Sequence, residues 1–504
     1  MCSYGLNTHK PGKGISLVIF IRTARDGLLR VRLSLRGKIP AMSPDTASSG
    51  FLKSFLRLFL PSATQSLFFS LIAIFDVLMV GQMGDVPVAA VGLAGQFFFL
   101  LNLTLFGTAG GSAMFAAQYW GARDLPNLRR VLGLCLGVGV SAAAVFAAVA
   151  LIAPGWVMRL YSQDAAVIQQ GVSYLRIIAW SYIFTAVTIS FSAMIRSTGN
   201  TRLPMLVSVT FLCLNTLMNY CLIFGRFGLP VLGVQGAAIG TTIARSLECL
   251  TLLIVLYTRR SPVAGSLREY FTFTWAFVRH HLRLIILIFL NEFFWALGVN
   301  VYNAIIARLG TSAYAAYNVT VTFQSLGLFF SFGCATTSSI LVGHAIGAGE
   351  FEKAYRTAGR ILLIAITGSA LVGLLLIPAR YQLMELYQVS PEARNDAAAM
   401  LLIAGLTLAV RSTDAMFIVG ILRGGGDSRF SALLDVGAIW LAGVPLVALT
   451  AFVLRLPVQW VFLAILTESI VKGVLGLRRY LSRRWLRNIT SAGSPVLPPV
   501  LVEN

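Results

Sequence analysis

Three carboxylates interrupt apolar stretches that are long enough to cross a bilayer: Asp76, Glu292 and Asp414. Asp76 lies within SLIAIFDVLMV and Glu292 within IILIFLNEFFWALGV, where no other acid occurs. An ionised side chain at the centre of a bilayer costs about 2.5–3.5 kcal/mol on insertion scales. Such residues are kept where they bind a cation, carry a proton or line a wet cavity. The sequence therefore predicts a membrane protein that works with an ion.

The rest of the chain is apolar enough to hold these acids inside a membrane. It has 504 residues, of which 57% are hydrophobic and only 12% are charged, whereas soluble domains carry roughly 25% charged residues. A spanning helix needs about 20 apolar residues. Twelve stretches meet this requirement: 56–82, 88–118, 131–154, 167–195, 203–225, 234–257, 281–308, 314–345, 358–378, 397–421, 430–453 and 457–477.

The net charge of +21 is distributed as in a membrane protein, and no nucleic-acid-binding module is visible. If the loops alternate between two sides, one side and the C-terminal tail hold twenty Lys and Arg, and the other side holds six. Basic loops are retained in the cytoplasm. The pattern predicts an inner-membrane protein with both termini cytoplasmic and with the lipid bilayer as its surroundings.

The first 50 residues differ from the remainder. Residues 1–41 carry eight Lys or Arg and one Asp, without a spanning run, and Met42 then opens the polar stretch MSPDTASSG. We expect 1–50 to be a basic, disordered extension. It is either an arm near the inner leaflet or an upstream segment outside the working protein, and the second alternative is favoured.

The two halves of the chain repeat. At an offset of 226 residues, Gly84 aligns with Gly310, Gln118 with His344 and Gly121 with Gly347. At an offset of 227, RSTGNTR (196–202) aligns with RGGGDSR (423–429). Each half holds six spans, so both have the same orientation, and an axis along the membrane normal should relate them. The predicted fold is all-α, with two six-helix lobes related by a pseudo-two-fold axis. Its parts are the N-lobe (51–258), a cytoplasmic linker (259–280), the C-lobe (281–480) and a cytoplasmic tail (481–504).

Several motifs, taken in order, resemble the multidrug and toxic compound extrusion (MATE) family. They include LFLPSATQSL, AAQYWGARD, IRSTGNTR, VGHAIGAGE and ILRGGGDSR, and the resemblance runs from about residue 51 to 480. It implies a secondary active antiporter that exports amphipathic or cationic drugs in exchange for Na⁺ or H⁺ by alternating access. No enzymatic activity and no cofactor are implied, and a monomer is favoured. No GxxxxGK[ST] phosphate loop is present, so the sequence does not predict ATP-driven transport.

The same resemblance assigns roles to the three acids. Glu292 and Asp414 look like the acidic pair of the NorM-like branch, which would meet and hold the coupling ion, with Na⁺ as a possible metal. Asp76 looks like a first-helix acid of the N-lobe. Val410 stands where the Na⁺-linked branch often has Tyr, so Na⁺ and H⁺ both stay open. All three acids break the repeat, because they map onto Tyr302, Ser66 and Val187.

Further polar and aromatic residues are candidates for the substrate cavity. Gln65 and Asn291 are equivalent amides, which we expect mainly to bridge helices by hydrogen bonds. Asn215 and Asn219 share a helical face, and cavity lining and packing are equally good interpretations. Tyr302 and Tyr317 complete the candidates. Two other functions are weighed: a flippase for lipid-linked precursors, which would need cationic cavity residues, and a membrane-embedded enzyme, whose metal motifs are missing.

Overall fold

The structure is a computed structural model that describes the backbone of residues 16–23, 29–36, 48–385 and 390–490. Side chains are described over residues 50–72, 79, 82–84, 86–384 and 390–490. The chain forms two compact units, Met1–Phe55 and Leu56–Asn504. In the first unit, β1 (Ser16–Thr23) and β2 (Leu29–Arg36) pair as an antiparallel hairpin. β2 alternates apolar and polar residues and β1 is a short apolar run, and both patterns are typical of strands. That residues 1–50 are an extension stays a prediction.

Helices make up nearly all of the second unit, as the apolar sequence predicts. The long helices of the first half are α1 (Ser48–Gly81), α2 (Asp85–Gly121), α3 (Leu125–Ile152), α5 (Ala165–Ser197), α6 (Arg202–Phe224) and α7 (Gly233–Thr258), with a short α4 (Pro154–Arg159) and, in the linker, α8 (Leu267–Phe271). Those of the second half are α9 (Trp275–Ala307), α10 (Thr311–Gly347), α11 (Phe351–Glu385), α12 (Pro391–Ala415), α13 (Ser428–Gly437), α14 (Val444–Ala448) and α15 (Val458–Leu481).

Three π-helical segments continue the helices of the second half. Met416–Arg423 extends α12, Ala438–Gly443 joins α13 to α14, and Leu449–Val453 extends α14. With these joins, twelve helices among the described residues are long and apolar enough to cross a membrane. The prediction of twelve spans in two lobes of six is confirmed.

Backbone conformation repeats between the lobes. Positive φ angles occur in pairs: Gly84 and Gly310, Arg123 and Gly349, and Gly199 and Gly426. The first two pairs are 226 residues apart and the third is 227 apart. Matching left-handed turns at matching places show that each lobe builds the same loops from unlike sequences.

The change of offset has a structural cause in the tenth span. Asp164 and Ser390 cap the N-termini of α5 and α12 and are 226 residues apart, whereas Gly199 and Gly426 beyond the helices are 227 apart. One extra residue therefore lies between them, where the π-helical segment Met416–Arg423 follows α12. Because Asp414 precedes that segment, it maps onto Thr188, not onto Val187.

Candidate functional site

The structure places Glu292 and Asp414 on separate helices with separate partners. Glu292 on α9 accepts a hydrogen bond from Arg423, with 2.6 Å between Oε1 and Nη1. Asp414 on α12 accepts from the hydroxyl of Ser469 on α15, at 2.6 Å. No hydrogen bond joins Glu292 to Asp414 in the part of the chain whose side chains are described. Each acid thus has a partner of its own, Arg423 for Glu292 and Ser469 for Asp414, and the expectation that the two hold one coupling ion stays a prediction.

A second acid–base group in the C-lobe was missed by the sequence analysis. Lys472 on α15 places Nζ 2.8 Å from Oδ1 of Asp435 and 4.0 Å from Oε1 of Glu468. Asn291 donates to Oδ2 of Asp435 at 2.9 Å, and Tyr302 donates to Oε2 of Glu468 at 3.0 Å. The signal was present: Glu468 and Lys472 are four residues apart in an apolar span and so share one helical face.

These residues form what we call the C-lobe charge cluster. Its charged members are Glu292, Arg411, Asp414, Arg423, Asp435, Glu468 and Lys472. Glu292 pairs with Arg423, and Asp435 and Glu468 lie beside Lys472. Among the described side chains, no salt bridge reaches Asp414. Its Oδ1 is buried without a hydrogen-bond partner, and burying an unpaired polar atom costs free energy, which a proton or a monovalent cation at Asp414 would offset.

The N-lobe holds a smaller and balanced polar group. Glu248 accepts hydrogen bonds from Arg245 and Ser208, each at 2.8 Å, so both of its oxygens are satisfied. Asn215 donates to Thr241 at 3.1 Å. Asp76 belongs to α1, but its side chain lies outside the described residues, and its expected role stays a prediction.

The remaining cavity candidates lie mostly in helix interfaces. Tyr302 and Tyr317 belong to the C-lobe core and are only 2% and 6% exposed. Asn215 and Asn219 are also buried, which favours the packing interpretation for this conformation. Gln65 is half-buried on α1. Asn291 bridges α9 to α13, as expected for an interhelical amide.

The lobes meet where the C-terminal ends of α2 and α10 cross. A Cβ atom on Gly121 would clash with the carbonyl of His344, and one on Gly347 would clash with the carbonyl of Gln118. Only glycine permits this approach. The imidazole of His344 lies 2.6 Å from the carbonyl oxygen of Ser197. Gly121 and Gly347, which are equivalent in the repeat, therefore each let the backbone of the other lobe approach closely.

The C-terminal tail adds a second connection at this crossing. Gln118 donates to the carbonyl of Arg487 at 3.1 Å and accepts from the amide of Ile489 at 2.9 Å. Arg487 in turn donates its backbone amide to Gly425 at 2.8 Å, and Trp485 is fully buried. The segment 485–489 thus links the loop after the tenth span to the N-lobe.

The linker between the lobes is also anchored. The hydroxyl of Tyr270 accepts from the amide of Gly265 at 2.6 Å and donates to the carbonyl of Val263 at 3.1 Å. Burial raises the pKa of the Tyr270 phenol, because the charged phenolate is disfavoured away from water. The linker is held in a fixed course over α3, where a Cβ on Gly133 would clash with the backbone of Tyr270.

Comparisons with known proteins agree with this architecture. The family model described as MatE matches residues 61–221 and 286–449. The uncharacterized transporter YisQ of Bacillus subtilis is 27% identical over 82% of this chain and 90% of its own length. The probable multidrug resistance protein NorM of Thermotoga maritima is 23% identical over 86% and 93%. The crystal structure of the Vibrio cholerae MATE transporter VcmN superimposes with a TM-score of 0.80 at 19% identity, over 88% of this chain and 98% of that one.

Proposed function

Because this chain belongs to the MatE family, we propose that it is a secondary active antiporter of the inner membrane that exports amphipathic or cationic drugs. The inward flow of Na⁺ or H⁺ would drive the export. The observation that carries the proposal is the C-lobe charge cluster, with four carboxylates, three bases and one unpaired oxygen on Asp414.

The cost of such a cluster supports an ionic role. Replacing a buried ion pair by apolar residues of similar volume is often neutral or stabilising. A scaffold that only needed to pack would therefore have little use for seven charged side chains between apolar helices. A buried carboxylate without a basic partner, such as Asp414, can instead favour another conformation when an ion binds, because the ion binds one state more tightly than the other.

The crossing of α2 and α10 indicates which state the structure represents. Residues that join the lobes, such as Gln118, His344 and the tail, lie on the side of the basic loops. Toward the other side, Ala90, Ala94 and Leu101 of α2 pack into the N-lobe core. In α10, Ala316, Tyr317 and Phe323 pack into the C-lobe core. If the basic side faces the cytoplasm, we infer that this arrangement is closed to the cytoplasm and that substrate would leave outward from it.

The substrates are proposed to be small molecules with a large apolar surface. Apolar and aromatic walls with few directional hydrogen bonds accept varied shapes. The name of the Thermotoga relative, a probable multidrug resistance protein, supports the same substrate class for this chain. Asp76 is proposed to serve ion binding in the N-lobe, since it is an acid within the apolar C-terminal part of α1.

Transport by the purified protein in proteoliposomes tests the proposal. A lipophilic cationic dye should move against its gradient when an inward Na⁺ or H⁺ gradient is imposed, and it should stop when the gradient is collapsed. The matched pair of variants is Asp414→Asn, which removes the charge in the cluster, and Asp396→Asn, which does so near the start of the same helix. Dye movement in the wild type that needs no ion gradient would refute antiport.

A further inference from the structure

Lys472 places an ammonium group among carboxylates deep within the C-lobe. The residue is 1% exposed, and Nζ lies 2.8 Å from Asp435 and 4.0 Å from Glu468. Lysine is almost never buried to this extent unless it is paired. It lies between Asp435 on α13 and Glu468 one turn earlier on its own helix α15, a position that a bound cation could occupy.

All four oxygens of the two carboxylates beside Lys472 already face a donor or the ammonium. Asp435 accepts from Lys472 at Oδ1 and from Asn291 at Oδ2. Glu468 has Oε1 at 4.0 Å from Nζ, at ion-pair distance, and accepts from Tyr302 at Oε2. The hydroxyl of Tyr302 fits there because the neighbouring position is Gly443, where a Cβ would clash with it. The surrounding helices are thus shaped around the ammonium and its partners.

The equivalent position in the N-lobe carries the opposite charge. The last helix of each lobe contains VQ near its start and RR just after its end, at residues 234–235 and 259–260 and at residues 458–459 and 483–484. This offset of 224 places Lys472 on Glu248, and the offset of 227 places Asp435 on Ser208. The contacts agree: Ser208 donates to Glu248 at 2.8 Å, where Lys472 bonds to Asp435 at 2.8 Å. The repeat itself therefore does not require a cation at residue 472.

We propose that the ammonium of Lys472 is a built-in cation that occupies the place of Na⁺ in the C-lobe and makes this lobe unresponsive to Na⁺. A hard metal cation needs several oxygen ligands, and Lys472 holds those of Asp435 and Glu468. Its charge also repels a second cation nearby. Glu292 is occupied in the same way by Arg423. The inference rests on the proposed antiport function and narrows its coupling ion, because H⁺ is then the ion that remains.

The test is the Na⁺ dependence of the melting temperature of the purified full-length protein, with choline chloride keeping the ionic strength constant. Wild type should show no Na⁺-specific shift. Lys472→Met, which removes the charge and keeps the length, should gain a saturable upward shift of roughly 2–4 °C at about ten times its Kd for Na⁺. Lys353→Met, at an exposed lysine, should behave as wild type. Lys472→Met combined with Asp435→Asn removes both charges and should show no gain.

A saturable Na⁺-specific shift in the wild type overturns the proposal. So does a folded Lys472→Met variant without Na⁺ dependence. Recovery of Lys472→Met only in the presence of Na⁺ supports the proposal. If Lys472→Met is never recovered, the Na⁺ titrations of the wild type and of the double variant decide whether the proposal stands, and a Na⁺-specific shift in either contradicts it. These melting-temperature measurements do not depend on transport by the protein. A protein that moves no dye but responds as described would contradict the antiport proposal and leave the built-in cation standing.

Discussion

The two lobes share one scaffold and carry different chemistry. In the N-lobe, α5 and α6 are continuous α-helices, and Glu248 is matched by one base, Arg245. In the C-lobe, the corresponding tenth and eleventh spans contain three π-helical segments, and seven charged residues are clustered beside them. The repeat preserves glycines and turns at the crossing of α2 and α10, while the buried charges differ in sign and number between the lobes. Both lobes thus contribute equivalent residues to the contact between them, whereas we propose that ion binding depends on residues that differ between the lobes.

The π-helical segment after Asp414 is one structural feature in which the two lobes differ. One additional residue in a helix forces a wider turn, and such turns are frequent at functional sites. Here the additional residue lies between the matched caps of α5 and α12 and the matched glycines beyond them. It rotates Arg423 relative to Asp414, and Arg423 reaches Glu292 on α9. The pair also depends on Glu292, whose equivalent in the N-lobe is Ser66.

The largest difference between the lobes is expected for the buried bases. Lys472→Met leaves Asp435 buried without its cation, and removing one member of a buried pair costs about 3–5 kcal/mol. Arg245→Met in the N-lobe should cost less, because its guanidinium is a quarter exposed and water can replace part of the lost contact. Melting temperatures in detergent, at low Na⁺, measure both. Equal losses in the two variants would show that the lobes do not differ in this respect.

Adding Asp435→Asn to Lys472→Met sharpens that prediction. The double variant has no unpaired buried charge, so it should recover most of the melting temperature that the single variant loses. An additive loss would mean that the two side chains act independently.

The interface between the lobes should show a moderate asymmetry. Gln118→Leu removes two hydrogen bonds to the tail and should weaken the closed state by about 1–3 kcal/mol. His344→Leu, at the repeat-equivalent position, removes one bond to Ser197 and should weaken it less. The readout is maleimide labelling of Ser428→Cys, a buried site at the crossing, in a cysteine-free background. If neither variant speeds labelling, the tail is not part of the closure.

The smallest difference is expected between the equivalent amides. Asn291→Leu removes a donor from Asp435 and should lower stability by about 1–3 kcal/mol. Gln65→Leu, on half-buried α1, should change it by no more than about 0.5 kcal/mol. Thermal melting again separates the two, and a larger effect of Gln65→Leu would place the essential amide in the N-lobe.

Much of the architecture could be predicted from the sequence, because long apolar runs and repeated loop glycines are local signals. The twelve spans, the two lobes and the family were predicted in this way and are confirmed. The partners of the acids were not predictable. The spacing gives no sign that Arg423, in the motif RGGGDSR, pairs with Glu292 on α9. Which charges meet depends on how each helix is rotated in the packed fold, and local sequence does not determine that rotation.

The burial of Lys472 could not be predicted from the sequence either. A lysine near the end of an apolar span is ordinarily assigned to the membrane surface, where its long side chain reaches water. Only the packing of α13 and α9 around α15 shows that Asp435 and Glu468 enclose it. Its spacing from Glu468 gave a signal, but the spacing alone does not tell a buried pair from an exposed one.

The central claim is that Asp414 of the C-lobe couples ion movement to export, and drug-driven ion movement in proteoliposomes tests it most directly. Asp414→Asn is compared with Thr188→Val, the change at the equivalent N-lobe position, and with the wild type. We expect an added lipophilic cationic dye to release the coupling ion from liposomes that contain the wild type or Thr188→Val. With Asp414→Asn, ion release should not exceed background. Undiminished dye-driven ion release by correctly folded Asp414→Asn would contradict the central claim.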